Sequence, residues 1–197
     1  MVAVAVGREA RGVDHVADAA GFTTGTPWIA VNPNSADVYV LNFEAMNLTR
    51  FEPNLGGRFG QYRVTRVDPG TGTVSPVHLN PHINYGVSPG PPAEVALSLS
   101  QPNGAAWDAA GANLYVAVLG SGKRAVVDAA GAVTARVDVG EGPTAVAVDD
   151  ARDRAYVLNR FTNTLARAVL FFGMASTAAA AEMQNAPLVL TVYSDYV

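Results

Sequence analysis

A chain of 197 residues suits one domain or slightly more, since domains run to roughly 100–200 residues, and its 49% hydrophobic and 15% charged residues supply a core and exclude a disordered chain. The net charge of −4, with no basic run, excludes electrostatic binding of nucleic acid or of an anionic membrane. The absence of cysteine excludes disulfides, thiolate zinc sites, iron–sulfur clusters, a catalytic thiol and covalently attached c-type haem.

At the start, Met1–Val6 is too short for the apolar stretch of a secretory signal, and Arg8 and Arg11 follow it instead of preceding it, so no signal peptide is expected in this chain. The first clear element begins at Ile29-Ala-Val-Asn-Pro-Asn-Ser-Ala-Asp-Val-Tyr39-Val-Leu-Asn42, an apolar alternation, a turn and an aromatic-centred strand. The same pattern returns at Ala106–Val118 around Tyr115, and at Val146–Asn159, where Tyr156-Val-Leu-Asn repeats the first unit. After Tyr115, Arg124–Asp128, a turn at Ala130-Gly131 and Val133–Val137 add two further strands before Gly140-Glu-Gly-Pro143 opens the next unit. Tyr115 and Tyr156 stand 41 residues apart, and a four-stranded module of about 40–45 residues is the length of a β-propeller blade.

The interval from Tyr39 to Tyr115 is longer, because one module carries two insertions. Val64-Thr-Arg-Val-Asp68 and Pro69–Gly72 match the stretch that ends in Asp128, which places the insertions at 43–60 and 77–101, between strands b and c and between strand d and the next strand a. Successive strands of a meander are antiparallel, so both insertions fall on one face, and long loops on a rigid scaffold are where binding sites usually reside. The stretch between Ala45 and Ala93 is free of alanine in an otherwise alanine-rich chain and holds most of the unusual polar residues.

The expected fold is all-β, a partial β-propeller of four-stranded antiparallel blades with two full blades and partial ones. Residues 1–167 form the repeat domain and 168–197 a divergent, short helical or irregular tail. Residues 2–20 are candidates for outer strands of a further blade, Asn163–Leu170 for a third strand of the last unit, and Thr177–Gln184 for a helix. The uncharged run Ala168–Ala181 falls short of the roughly 20 residues that cross a bilayer, so no membrane span is expected. Two full blades do not close a ring of about 4–8. A truncated chain, an open arc or a homo-oligomer that completes the ring are the alternatives.

Pro27-Trp-Ile-Ala-Val-Asn-Pro-Asn, Asp37-Val-Tyr-Val-Leu-Asn and Tyr156-Val-Leu-Asn-Arg-Phe-Thr-Asn-Thr resemble the YVTN-type β-propeller repeats over roughly residues 27–165, with Leu41 and Leu158 where the family usually has Thr. Asn47–Asn54 and His78–Tyr85 are similar to a bacterial subgroup of secreted propellers, some joined to di-haem cytochrome peroxidase-like domains. The resemblance implies an extracytoplasmic, periplasmic or secreted, redox-associated setting and no activity for this chain.

Glu44, Arg50, Glu52, Arg58, His78, His82 and Tyr85 are the candidate ligand-binding residues, all in or beside the insertions. The guanidinium groups of Arg50 and Arg58 would grip an anion if Glu44 and Glu52 did not pair with them to order the loop. His78 and His82 are the candidate metal ligands, although Pro81 between them argues against a helical metal face. Asp149, Asp150 and Asp153 read as a hairpin turn, Gly120-Ser-Gly-Lys123 as a turn without a phosphate loop, and Ser98, Ser100 and Ser121 lack a nucleophile elbow. No catalytic set is present, which points away from an enzyme and to no cofactor beyond such a metal. Trp28, Trp107, Tyr39, Tyr115 and Tyr156 are expected to pack between blades, and Phe43, Phe51, Phe59, Tyr62 and Tyr85 to line the insertions. The leading expectation is a non-catalytic module that takes a protein or small ligand on the insertion face. The alternatives are a redox-associated propeller using His78 and His82, and a fragment without independent function.

Overall fold

The computed structural model describes residues 28–46, 60–169 and 184–187. Twelve strands form three four-stranded antiparallel sheets. The first holds β1 (Trp28–Val31), β2 (Val38–Ala45), β3 (Gly60–Val67) and β4 (Val74–His78). The second holds β5 (Pro102–Trp107), β6 (Asn113–Val118), β7 (Lys123–Asp128) and β8 (Val133–Asp138). The third holds β9 (Pro143–Asp149), β10 (Arg154–Asn159), β11 (Thr164–Val169) and β12 (Gln184–Pro187). Each sheet is a simple meander, and β1, β5 and β9 lie side by side as the inner strands of three consecutive propeller blades.

The sequence of β6 shows how the blades pack. Leu114, Val116 and Val118 join Tyr39, Leu41, Val64 and Leu79 in the core between the first and second blades. Tyr115 and Ala117 point to the other side and join Ala155, Val157 and Ala166 of the third blade. A strand buried on both faces needs an unbroken apolar run, which is what Leu114–Val118 supplies. The inner strands approach so closely that a Cβ at Gly104 would lie 2.7 Å from the Thr144 carbonyl oxygen, so only glycine fits.

One rim is locked by its turns. Asn32 Nδ2 donates to the Gly111 carbonyl at 2.8 Å, Asn34 Nδ2 donates to the Ala110 carbonyl, and the Ala109 amide donates to Asp150 Oδ1 at 3.1 Å. Tyr39 Oη reaches the Ala129 carbonyl at 2.6 Å. Asp68 and Asp128, matched in the repeat, cap the same turn: Asp68 accepts from Gly70 and Thr71, and Asp128 from Ala130 and Ala132. The Thr71 hydroxyl and those amides hold the Asp68 carboxyl below its ordinary pKa.

Two core assignments need correction. Trp28 is 41% exposed, although its indole N–H donates to the Ala105 carbonyl of the second blade at 2.9 Å. Tyr156 is half-buried, whereas its repeat equivalents Tyr39 and Tyr115 are each 1% exposed. The reasons differ: Tyr156 lies on the face of the third sheet that has no described sheet against it, whereas Trp28, paired with Leu41 on the face towards the second blade, stands at the exposed first position of β1. In the third blade, β11 continues through Val169, so the ladder runs past residue 167. Gln184 belongs to the extended β12, paired to β11 at Arg167, and not to a helix. Residues 2–20 and 177–183 lie outside the described residues, as does most of the tail.

Burial pushes the Tyr115 phenol up to about 12, against a partial lowering by the nearby Arg124 charge. The fold therefore holds the protonated phenol, while an unfolded tyrosine ionises near 10. The contribution of Tyr115 to stability is intact below about pH 10 and is lost as the pH rises towards about 12. Denaturant titrations across that window are expected to show a steeper loss for the parent protein than for Tyr115→Phe, and equal slopes would refute this.

Candidate functional site

The face opposite the locked turns carries both insertions. β2 extends to Ala45 and β3 begins at Gly60, so the first insertion leaves from a two-stranded overhang beyond the pairs that β1 makes with Leu41 and β4 makes with Arg63. Arg50, Glu52, Arg58, Phe51 and Phe59 lie outside the described residues. Strand pairing sets Glu44 opposite Gln61, Asn42 opposite Arg63, and Arg63 opposite His78. Alternation puts these side chains together on the face of the first blade that is turned away from the second.

Arg63 organises this cluster. It forms an ion pair with Glu44, and its Nη2 donates to Gln61 Oε1 at 2.8 Å. Burial lowers the guanidinium pKa. Beside it, Thr65 Oγ1 donates to Asn42 Oδ1 at 2.8 Å. Glu44 is thus held by Arg63, a residue that the sequence reading missed. Its signal was available: the period of two in Gly60–Val67 sets Gln61, Arg63 and Thr65 on one face. Phe43 and Tyr62 occupy the other face with ring centroids 5.0 Å apart, and Tyr62 packs on the core between the first two blades.

The second insertion is built on its own base. Asn80 is buried, its Nδ2 donates to the Leu99 carbonyl and its Oδ1 accepts the Leu99 amide, both at 2.7 Å. These two bonds close the loop as a backbone pair would. Within it, His78 stacks on Tyr85 with ring centroids 6.5 Å apart and planes at 22°. His82 Nε2 lies 3.2 Å from the Glu94 carbonyl, and Glu94 Oε2 accepts the Asn84 amide at 3.0 Å. His78 and His82 are therefore engaged with different partners in the loop. Among the described residues, no three His, Cys, Asp or Glu side chains are grouped so as to hold a metal.

A short helix, α1 (Pro92–Leu97), crowns this loop and was not expected from the sequence. Pro92 at its first turn followed by Ala-Glu-Val-Ala-Leu was the signal. None of its residues is buried: Val95 is 63% and Leu97 47% exposed, and Val87 in the same loop is also exposed. Phe161, in the turn between β10 and β11, is exposed on the same side of the arc. Among the described residues no helix is long and apolar enough to cross a membrane.

No family model matches the chain, and no curated protein matches it in sequence. Similar solved structures include hydrazine synthase of Kuenenia stuttgartiensis, at 20% identity and a TM-score of 0.58 over 73% of this chain and 45% of that one. The β-propeller domain of Cps50 (Swd1) from Myceliophteria thermophila matches at 13% identity and a TM-score of 0.50, over 83% of this chain and 46% of that one. The chain thus spans less than half the length of each, and the likeness is one of fold: a β-propeller.

Proposed function

We propose that this protein is a non-catalytic β-propeller module that binds a protein partner through the insertion face, with the 77–101 loop as the principal contact. The observation that carries this reading is the helix α1, which is pinned from below by the Asn80–Leu99 pair and the His82–Glu94 contact yet buries none of its own residues. The loop is anchored in the core by Leu79 and Leu99 at its two ends, while α1 itself adds nothing to that core. This arrangement presents Val95, Leu97 and Val87 exposed on a loop held at its base, and preorganised apolar side chains are what a protein interface uses as anchors.

The Tyr-Val-Leu-Asn segments at Tyr39 and Tyr156 support placing the chain among YVTN-type propellers, and with that placement comes the extracytoplasmic setting. Arg50, Glu52 and Arg58 belong in this reading to the rim of the same face, with Glu44 tied to Arg63 at its base.

The test is a paired retention experiment on extracts of the source organism. The double variant Val95→Asp, Leu97→Asp is expected to lose a partner that the parent protein retains, with affinity down about thirtyfold or more and an unchanged melting midpoint. Ala151→Asp, in an exposed turn of the opposite rim, is expected to retain it. Equal retention by all three proteins would sink the proposal.

A further inference from the structure

Arg124 is the largest fully buried side chain among the described residues, at 0% exposure. It lies on β7, between Ala117 of β6 and Val137 of β8, on the face that meets the third blade. Its Nε, Nη1 and Nη2 are all buried and none has a hydrogen-bond acceptor. The Tyr115 ring lies beneath it, with its centroid 5.2 Å from Cζ. Among the described residues no carboxylate forms an ion pair with it.

The repeat shows that this arginine is a departure from the blade plan. The equivalent positions are Val64 in the first blade and Leu165 in the third, paired with Leu41 and Leu158. In the second blade the pair is Arg124 with Ala117, so the long side chain arrives together with a shortened neighbour. Across the interface stand Ala155, Val157 and Ala166, where the first interface has Leu114, Val116 and Ala125, so one leucine is replaced by alanine.

A guanidinium does not lose its proton in a protein, so burial alone cannot neutralise it as it would a lysine. A buried charge of this kind is ordinarily compensated by an opposite charge. Five N–H donors in a fully buried, low-dielectric setting fit a small monovalent ion and exclude a bulky one. We infer that Arg124 forms an internal site for a small inorganic anion of the chloride type, held between the second and third blades. The site is distinct from the insertion face and does not depend on the partner proposed there.

Three measurements on the whole chain test this. In sodium chloride against sodium isethionate at equal ionic strength, which keeps general screening equal, the melting midpoint of the parent protein is expected to rise with the logarithm of chloride. Arg124→Met, which keeps the length of the stem, is expected to melt independently of the anion and above the parent in isethionate. Crystals grown in bromide are expected to show anomalous density beside the Arg124 nitrogens of the parent, which keeps the inference falsifiable even if the variant fails to fold. Equal anion dependence in parent and variant, or bromide only at the surface, would overturn it.

Discussion

Replacing Tyr39 by alanine is expected to lower the unfolding free energy by about 4 kcal/mol, the usual cost of deleting a buried aromatic side chain. Tyr39 is 1% exposed, meets Trp107 edge-on at 4.7 Å and reaches across to the Ala129 carbonyl at 2.6 Å. The deletion leaves a cavity between the first two blades and a carbonyl without its donor. The matched change, Tyr156→Ala, removes the same side chain from the same place in the repeat. It is expected to cost less than about 2 kcal/mol, because Tyr156 is half-buried and leaves no closed cavity. Equilibrium denaturation of the two variants side by side makes the comparison, and equal costs would show that the face carrying Tyr156 is covered as fully as the other two.

The second large effect is expected at Asn80. Asn80→Ala removes two 2.7 Å hydrogen bonds and strands the buried amide and carbonyl of Leu99. Leaving a buried polar group unpaired costs about 1–3 kcal/mol, so a total near 3 kcal/mol is expected. The Leu99 amide should then exchange with solvent far faster than in the parent, and partner retention by α1 should fall with it. Retained Leu99 protection with stability down by less than about 1 kcal/mol would refute the clamp. Asn80→Asp should not rescue it, since a carboxylate still accepts the Leu99 amide but offers no donor to the carbonyl and brings a charge into a buried position.

These two residues mark the limits of what could be read from the sequence. Tyr39 was legible as a core tyrosine, because the repeat sets it in an alternating strand beside a turn. The same reasoning applied to Tyr156 with equal force and was wrong about its burial, since a sequence repeat reports the blade and not what lies next to it. In the sequence Asn80 is one polar residue of the second insertion among several. Its role comes from Leu99, nineteen residues away, and nothing in the local pattern announces that contact. The candidate histidines were correctly placed in the second insertion, but ring stacking on Tyr85 and the Glu94 carbonyl were invisible, because a loop has no period from which to derive its contacts.

By itself the sequence determined the strands from β1 to β11 and the turns between them, the 41-residue module and the positions of both insertions, because each is set by interactions within a few residues: side-chain alternation, turn chemistry and capping by Asp68 and Asp128. Only the tertiary structure decided which sheet faces are buried, that Arg63 holds Glu44, that α1 turns its apolar residues outward, and that Arg124 stands without an acceptor between two blades. Those are long-range facts. They depend on which blade packs against which and at what distance, and two positions with the same place in the repeat can differ in them completely.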